Sequence, residues 1–349
     1  MPVELGAEFL HGEAQATHAM LRRAHRKAVD SVRVQRSFQG GRLRPMNAFV
    51  EAQRATRDAN LARDVSFEKF LSTRDVPEKT KTFARMMVEG FDAADPKRVS
   101  ARSIVDEWGE GGELGMSQPR PQGGYGPLLD WLAGALVRRG VRLRLGSPVR
   151  DLQWRRGAVA ANDVKAKRAV ITLPLGLIHL KEKRAALRKL AAGPVIRVAL
   201  AFDEEFWRRR APGVAFFHVP GAAFPTFWTP LPMRAPLLTA WAGGPKAARL
   251  TGKPSKKLIE EALQTVGRVF GHLPPLMAAC AQDWHADPWS RGGYSYVLAG
   301  GEGGREELAL PIQQTLFFAG EATNSEEAGT VSGALSSGQR AAREVLESL

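Results

Sequence analysis

The sequence predicts a mixed α/β protein of the α+β kind, on three observations. Helical periodicity dominates the first third of the chain. Period-two and continuously apolar segments follow from about residue 140. Those sheet-forming segments return after long excursions, so the domains are expected to be discontinuous. A length of 349 residues suits two domains or one large one.

Met20, Leu21, Ala24 and Ala28 recur at spacings of three and four among basic residues, which predicts a helix over Thr17 to Val29. Similar patterns cover Val65 to Leu71, Pro77 to Phe91 and Ser100 to Trp108, so residues 15–117 read as a mostly helical layer. A glycine-rich loop, Pro119 to Gly126, precedes a helix over Pro127 to Arg139 that Gly140 closes. Val141, Leu143 and Leu145 alternate with Arg142 and Arg144, the pattern of a half-buried strand, and Ala169 to Leu173 reads as a buried one. Further strands are expected at Val195 to Phe202, Val214 to Val219, Pro225 to Thr229 and Leu237 to Ala242. Ser255 is expected to cap a helix running to Phe270. The chain finishes with a strand over Leu316 to Ala319 and a helix from about Thr330 to Leu346.

The net charge is +14, and 36 of the 50 basic residues are Arg. They are scattered without a long block or alternation with aromatics, which favours a basic solvated surface over a nucleic-acid-binding one. No apolar run approaches the roughly 20 residues of a membrane helix. The single cysteine, Cys280, excludes an internal disulfide framework and reads as a small buried hydrophobe. Met1 to Gly12 carries no export signal, which points to the cytoplasm unless a longer N-terminus supplies an address.

Several chemistries lack their signatures. None of the seven histidines stands in a metal-ligand spacing, and no G-x-S-x-G elbow occurs. The glycine clusters at Gly109 to Gly115, Gly123 to Gly126 and Gly300 to Gly304 fit neither G-x-G-x-x-G nor the P-loop. The most specific local feature is the terminal strand-turn-helix. Its strand runs into Gly320 and Glu321, and small residues at Gly329, Gly333, Ala334, Ser337 and Gly338 suit close backbone approach. The free N–H groups of that helix start suit an electron-rich oxygen; tight helix-on-sheet packing explains the glycines equally well.

Six segments in order resemble the flavin-containing amine oxidases, the family of monoamine oxidases, polyamine oxidases and lysine-specific histone demethylases. They are VELGAEFLHG (Val3 to Gly12), QGGYGPLLDWLA (Gln122 to Ala133), VITLPLGLI (Val170 to Ile178), RVALAFDEEFW (Arg197 to Trp207), DWHADPWSRGGYSYV (Asp283 to Val297) and FFAGEAT…GTVSGAL (Phe317 to Leu335). The resemblance implies a Rossmann-like FAD domain from residues 1–14, 118–178 and 312–349, with a substrate domain from 15–117 and 179–311. Its FAD contacts carry over to Gly6, Ala7, Glu8, Val149, Thr172, Pro174, Gly320, Glu321, Thr330 and Val331.

Counting back from Phe202 and Asp203 through Gly193 places Lys183 on the family's lysine, which holds a water against the flavin; a solvated basic helix face is the competing account. Tyr294 matches one wall of the aromatic cage. Trp284 and Trp289 match its lining by the flavin, and Thr330 stands where some members place the second wall. The implied reaction is oxidation of an amine C–N bond by hydride transfer to flavin, with O2 as acceptor. Without a matching cysteine, FAD is expected to be non-covalent. The net positive charge tilts the expected substrate toward monoamines over polyamines.

Three departures accompany the resemblance. The family's N-terminal βαβ unit with its G-x-G-x-x-G precedes the ELGAEF segment and has no counterpart in this sequence, which raises the expectations of an incomplete FAD domain or a second chain supplying the unit. The stretches 154–168 and 176–183 are short for the family. Ser332 stands where many members have His. A non-catalytic remnant or partner subunit is therefore the rival reading.

Overall fold

The computed structural model describes residues 3–109 and 118–349, and the fold is mixed α/β. The glycine-rich stretch that follows Trp108 in the expected helical layer lies outside the described residues. The largest sheet has seven strands: β1 (Gln35–Gln39), β2 (Arg42–Pro45), β3 (Val195–Phe202), β4 (Phe216–His218), β5 (Thr226–Trp228), β6 (Leu237–Gly243) and β7 (Leu276–Asp283). Their spatial order is β7-β3-β6-β5-β4-β1-β2, and all neighbours are antiparallel except β4 and β1.

Alternation decides the two faces. Ile196, Val198 and Leu200 of β3, Phe217 of β4, Phe227 of β5 and Leu238 and Ala240 of β6 point into one core. Against it packs the helix Ser255–Phe270, through Leu258, Ala262, Val266 and Phe270. Pro254, not Ser255, occupies the cap position of that helix, with no side-chain cap bond. A second core joins the helices Ala48–Gln53, Phe67–Thr73, Glu78–Gly90 and Ala101–Trp108 around Phe67, Phe83 and Trp108. The layers meet where β6 and the turn before β3 touch the end of Glu78–Gly90. A Cβ on Gly243 would lie 2.2 Å from the Glu89 carbonyl oxygen, and one on Gly193 2.3 Å from that of Ala93, so only glycine fits either place.

The remaining elements are smaller. Among the described residues Ala169–Ile171 pairs in parallel with Leu316–Phe318 alone, beside a three-stranded antiparallel sheet, Leu152–Arg155, Ala158–Ala161 and Val164–Ala166. The helix Gly126–Arg138 buries only Leu128 and Ala135.

Four expectations are corrected. The first helix is Gln15–Arg23; His25 has a left-handed backbone, and Ala28–Val29 pairs as a strand with Arg120–Pro121. Residues 141–145 form no strand, and Leu145 is 92% exposed. A strand requires a neighbour for its N–H and C=O groups, and no described strand runs beside this one. The segment expected to be buried at Ala169 to Leu173 exposes Val170 and Leu173, since among the described residues only one strand flanks it. Cys280 is exposed on the edge strand β7, which sequence reading missed because its alanines carry little strand signal.

Candidate active site

A cavity of about 1160 Å³ opens between the far face of the large sheet, the helical layer and the C-terminal segment. Its sheet wall follows from the same alternation that builds the core: Phe216 and His218, Trp228, and Trp241 are the neighbours of core residues on their strands. Phe9 packs on this wall, with ring centroids 5.7 Å from Phe216 and 5.8 Å from Trp228, and Trp228 lies 5.7 Å from Trp241.

Many of the expected site residues converge here. Gly6, Ala7, Glu8, Pro174, Trp284, Tyr294, Glu321, Thr330 and Val331 all line the cavity. Trp284 is fixed by its indole N–H, which donates to the Leu5 carbonyl at 2.7 Å. The Tyr294 hydroxyl donates to the Phe91 carbonyl, and burial, with Asp92, Glu107 and Glu321 nearby, pushes it well above the ordinary tyrosine range. Glu321 accepts from the Ser295 N–H and hydroxyl, at 3.1 and 2.7 Å, and from the Gly329 N–H at 2.9 Å.

Glu8 is the most heavily engaged. Its carboxylate accepts from Arg120 at 2.7 Å, from Trp228 at 2.9 Å and from Arg197. Burial alone would raise its pKa; Arg197 and Arg120, with the Trp228 bond, outweigh that and hold it below the usual carboxylate value. Arg197 also donates to the Gly6 carbonyl at 3.0 Å, tying the N-terminal segment to β3. Two imidazoles, His11 and His218, border the cavity, and burial brings each down to about 4. Both are neutral near pH 7.

Other expected residues lie elsewhere. Val149 and Trp289 are each 60% exposed, Thr172 is exposed, and Gly320 donates its N–H to Ser337 outside the cavity lining. Lys183 is buried, but its ammonium donates to the Glu307 and Leu310 carbonyls and lies 4.1 Å from the Phe318 ring centroid, away from the cavity. Burial, with Arg340 nearby, lowers it to about 8, and Glu344 opposes the shift. The cation of this stretch that does line the cavity is Arg197. The start of the helix Val331–Glu347 is occupied from within: Thr330 caps the Gly333 N–H at 2.9 Å, and Ser332 donates to the Glu327 carboxylate at 2.9 Å.

Sequence reading missed the charge of the lining. Among the described residues eleven carboxylates, including Glu13, Asp64, Asp92, Glu107, Glu302 and Glu327, border the cavity against three guanidiniums, Arg102, Arg197 and Arg305. Glu107 is half-buried; desolvation raises its pKa, against the opposing effects of Asp92 and Arg305. The Glu107 segment, the Asp92 turn and the residue-302 to residue-327 region are far apart in sequence, so no local motif announces the cluster.

A family profile described as "Flavin containing amine oxidoreductase" matches residues 2–346. The chain is 30% identical over 247 residues to lysine-specific histone demethylase 2 of Homo sapiens, covering 64% of this chain and 29% of that protein. It is 29% identical over 214 residues to peroxisomal N(1)-acetyl-spermine/spermidine oxidase of Bos taurus, covering 51% of this chain and 42% of that one. The chain thus spans less than half the length of either relative. A putrescine oxidase structure with bound putrescine superposes with a TM-score of 0.81 over 99% of this chain and 88% of that one, at 18% identity. Cyclohexylamine oxidase from Brevibacterium oxydans gives 0.78 at 15% identity. At these identities the superpositions speak to the fold, and the profile match settles kinship: the chain belongs to the flavin containing amine oxidoreductases.

Proposed function

We propose that this chain takes part in oxidising a C–N bond of an amine that carries more than one positive charge, with non-covalent FAD as hydride acceptor and O2 as final oxidant. The observation that carries the substrate class is the cavity lining, eleven carboxylates against three guanidiniums in a molecule whose net charge is +14. That local excess replaces the tilt toward monoamines, because a substrate inside the cavity feels its nearest charges most strongly. The named polyamine and putrescine oxidases among its relatives and fold neighbours support the same class.

The residues present fit the ring end of the cofactor: Gly6, Ala7, Pro174, Trp284, Thr330 and Val331 all border the cavity. FAD, when bound, supplies the electron sink. The aromatic walls of Trp284 and Tyr294 exclude water and orient the carbon chain of the amine. Carboxylates such as Asp92 and Glu107 hold the remote ammonium, and Arg197, paired with Glu8, fixes the N-terminal segment that borders the cavity. The imine product then hydrolyses.

The phosphate end fits less well, which favours a second reading in which the chain alone does not retain FAD. Val149 and Thr172 are exposed, and the parallel pair Ala169–Ile171 and Leu316–Phe318 has no third strand among the described residues. Parallel strands are ordinarily buried in larger sheets. We assign the shortfall to a strand-helix-strand segment, in the same polypeptide or another. Purified chain that is yellow with stoichiometric flavin, and forms peroxide faster with a diamine than with the monoamine of equal carbon number, is the expected result for the first reading. Colourless protein whose melting temperature FAD leaves unchanged overturns it for the chain alone.

A further inference from the structure

On the cavity face of the large sheet, His218 of β4 and Thr226 of β5 stand directly opposite each other in the antiparallel register. Both line the cavity, and His218 is buried. The imidazole Nδ1 lies 3.3 Å from the Thr226 hydroxyl oxygen, and Nε2 lies 3.3 Å from Gln35 Oε1 on β1. The Ala48 N–H, at the start of the helix Ala48–Gln53, donates to that same Gln35 oxygen at 3.0 Å, which fixes the way the amide faces.

These contacts place each proton. An amide oxygen only accepts, so the proton between Gln35 and His218 belongs to Nε2. The buried imidazole is neutral near pH 7 and carries that proton alone. Nδ1 is therefore a bare acceptor, and the Thr226 hydroxyl donates its only proton to it. The lone pairs of the Thr226 oxygen are left, and among the described residues no group donates to them.

The surroundings suit a cation. A Cβ built on Gly90 would lie 3.9 Å from the Thr226 oxygen, which sets that oxygen beside the C-terminal end of the helix Glu78–Gly90. Such an end carries the negative pole of the backbone dipole. Gly90, Phe91 and the buried Asp92 all line the cavity there. The Gly90 and Phe91 carbonyls already accept, from the Trp241 indole N–H at 2.6 Å and from the Tyr294 hydroxyl.

We propose that the Thr226 hydroxyl oxygen accepts an N–H of the substrate's remote ammonium, and that His218 is the positioning residue that holds this hydroxyl as an acceptor. The inference rests on the reading of the substrate as an amine with more than one positive charge, and it names a residue that selects N–H groups over charge alone. A hydroxyl able to turn meets donors and acceptors equally; one whose proton is already engaged favours donors.

The test separates the hydrogen bond from the charge. Calorimetry on the full chain near pH 7 compares 1,4-diaminobutane with its hexamethylated analogue, a dication of the same carbon spacing without N–H groups. Thr226→Val is expected to weaken binding of the diamine about tenfold, the effect of losing one hydrogen bond to a charged group, and to leave the hexamethylated dication unchanged. Thr226→Ser, which keeps the hydroxyl, is expected to bind both as the wild type does. Nitrogen NMR of the histidine rings, with the His218 signals identified by their loss in His218→Gln, is expected to show a protonated Nε2 and a bare Nδ1. Equal weakening of both dications by Thr226→Val, or weakening of neither, overturns the proposal, as does a proton on Nδ1. If neither dication binds the wild type, the polycationic reading of the cavity fails and this subsite fails with it, an outcome distinct from the others.

Discussion

The sheet-and-helix part and the parallel-pair part of this molecule treat apolar residues in opposite ways. The first buries Phe217, Phe227 and Leu238 completely on a seven-stranded sheet. The second leaves Val170 and Leu173 44% and 49% exposed on and just after one of two parallel strands, and Leu145 and Val149, ahead of the small sheet, 92% and 60% exposed. Apolar exposure on that scale marks a surface shaped to be covered. The aromatic wall of the cavity is built by this chain's own packing, whereas the parallel pair leaves apolar side chains in water.

The contrast can be broken most severely at Glu8. Glu8→Ala leaves Arg120 and Arg197 buried without their counter-ion, and a loss of about 5 kcal/mol in urea unfolding is expected. Phe227→Ala, which removes a ring stacked on Phe217 at 4.8 Å, should cost about 3–5 kcal/mol by the same measurement. Acid acts next. His218 titrates at about 4 in the folded chain against an ordinary 6.5, so the unfolded chain binds more protons between these values. Its contribution is complete above pH 6.5 and is lost as pH falls toward 4, by roughly 3 kcal/mol. His218→Gln should flatten the stability curve over that interval. The smallest effect sharpens the comparison from the other side. Leu145→Ser should change stability by no more than about 0.5 kcal/mol, because its side chain is already in water. A large loss would mean that the exposed segment is covered.

Much of the cavity was legible because its residues sit in contiguous motifs. Glu8, Pro174, Trp284, Tyr294 and Glu321 all lie in such stretches and all reach the cavity. What escaped was set by pairing and by distance along the chain. Val141 to Leu145 has the alternation of a strand, but alternation describes a face and does not supply a neighbour. Strand β7 has the neighbour but not the composition, so Cys280 was misread as buried. Lys183 was reached by counting across a shortened stretch. Lys183 lies outside the cavity lining, whereas Arg197 borders the cavity from β3 beside Glu8. The aromatic wall of Phe216, Trp228 and Trp241 follows a period of two, but β4 and β5 are only three residues long, too short for the pattern to declare itself.

The carboxylate-lined cavity has a kinetic consequence. Seen from far away the molecule is a cation, and a di- or tricationic amine is repelled by it; near the opening the sign reverses. The repulsion acts over tens of ångströms in dilute buffer and is cut to a range of about 8 Å at physiological ionic strength. Added salt at modest concentration therefore lifts a barrier before it weakens a grip. Capture of a polycation should quicken from very low to moderate ionic strength and slow only beyond it, a curve with a maximum where oppositely charged partners ordinarily show a steady fall.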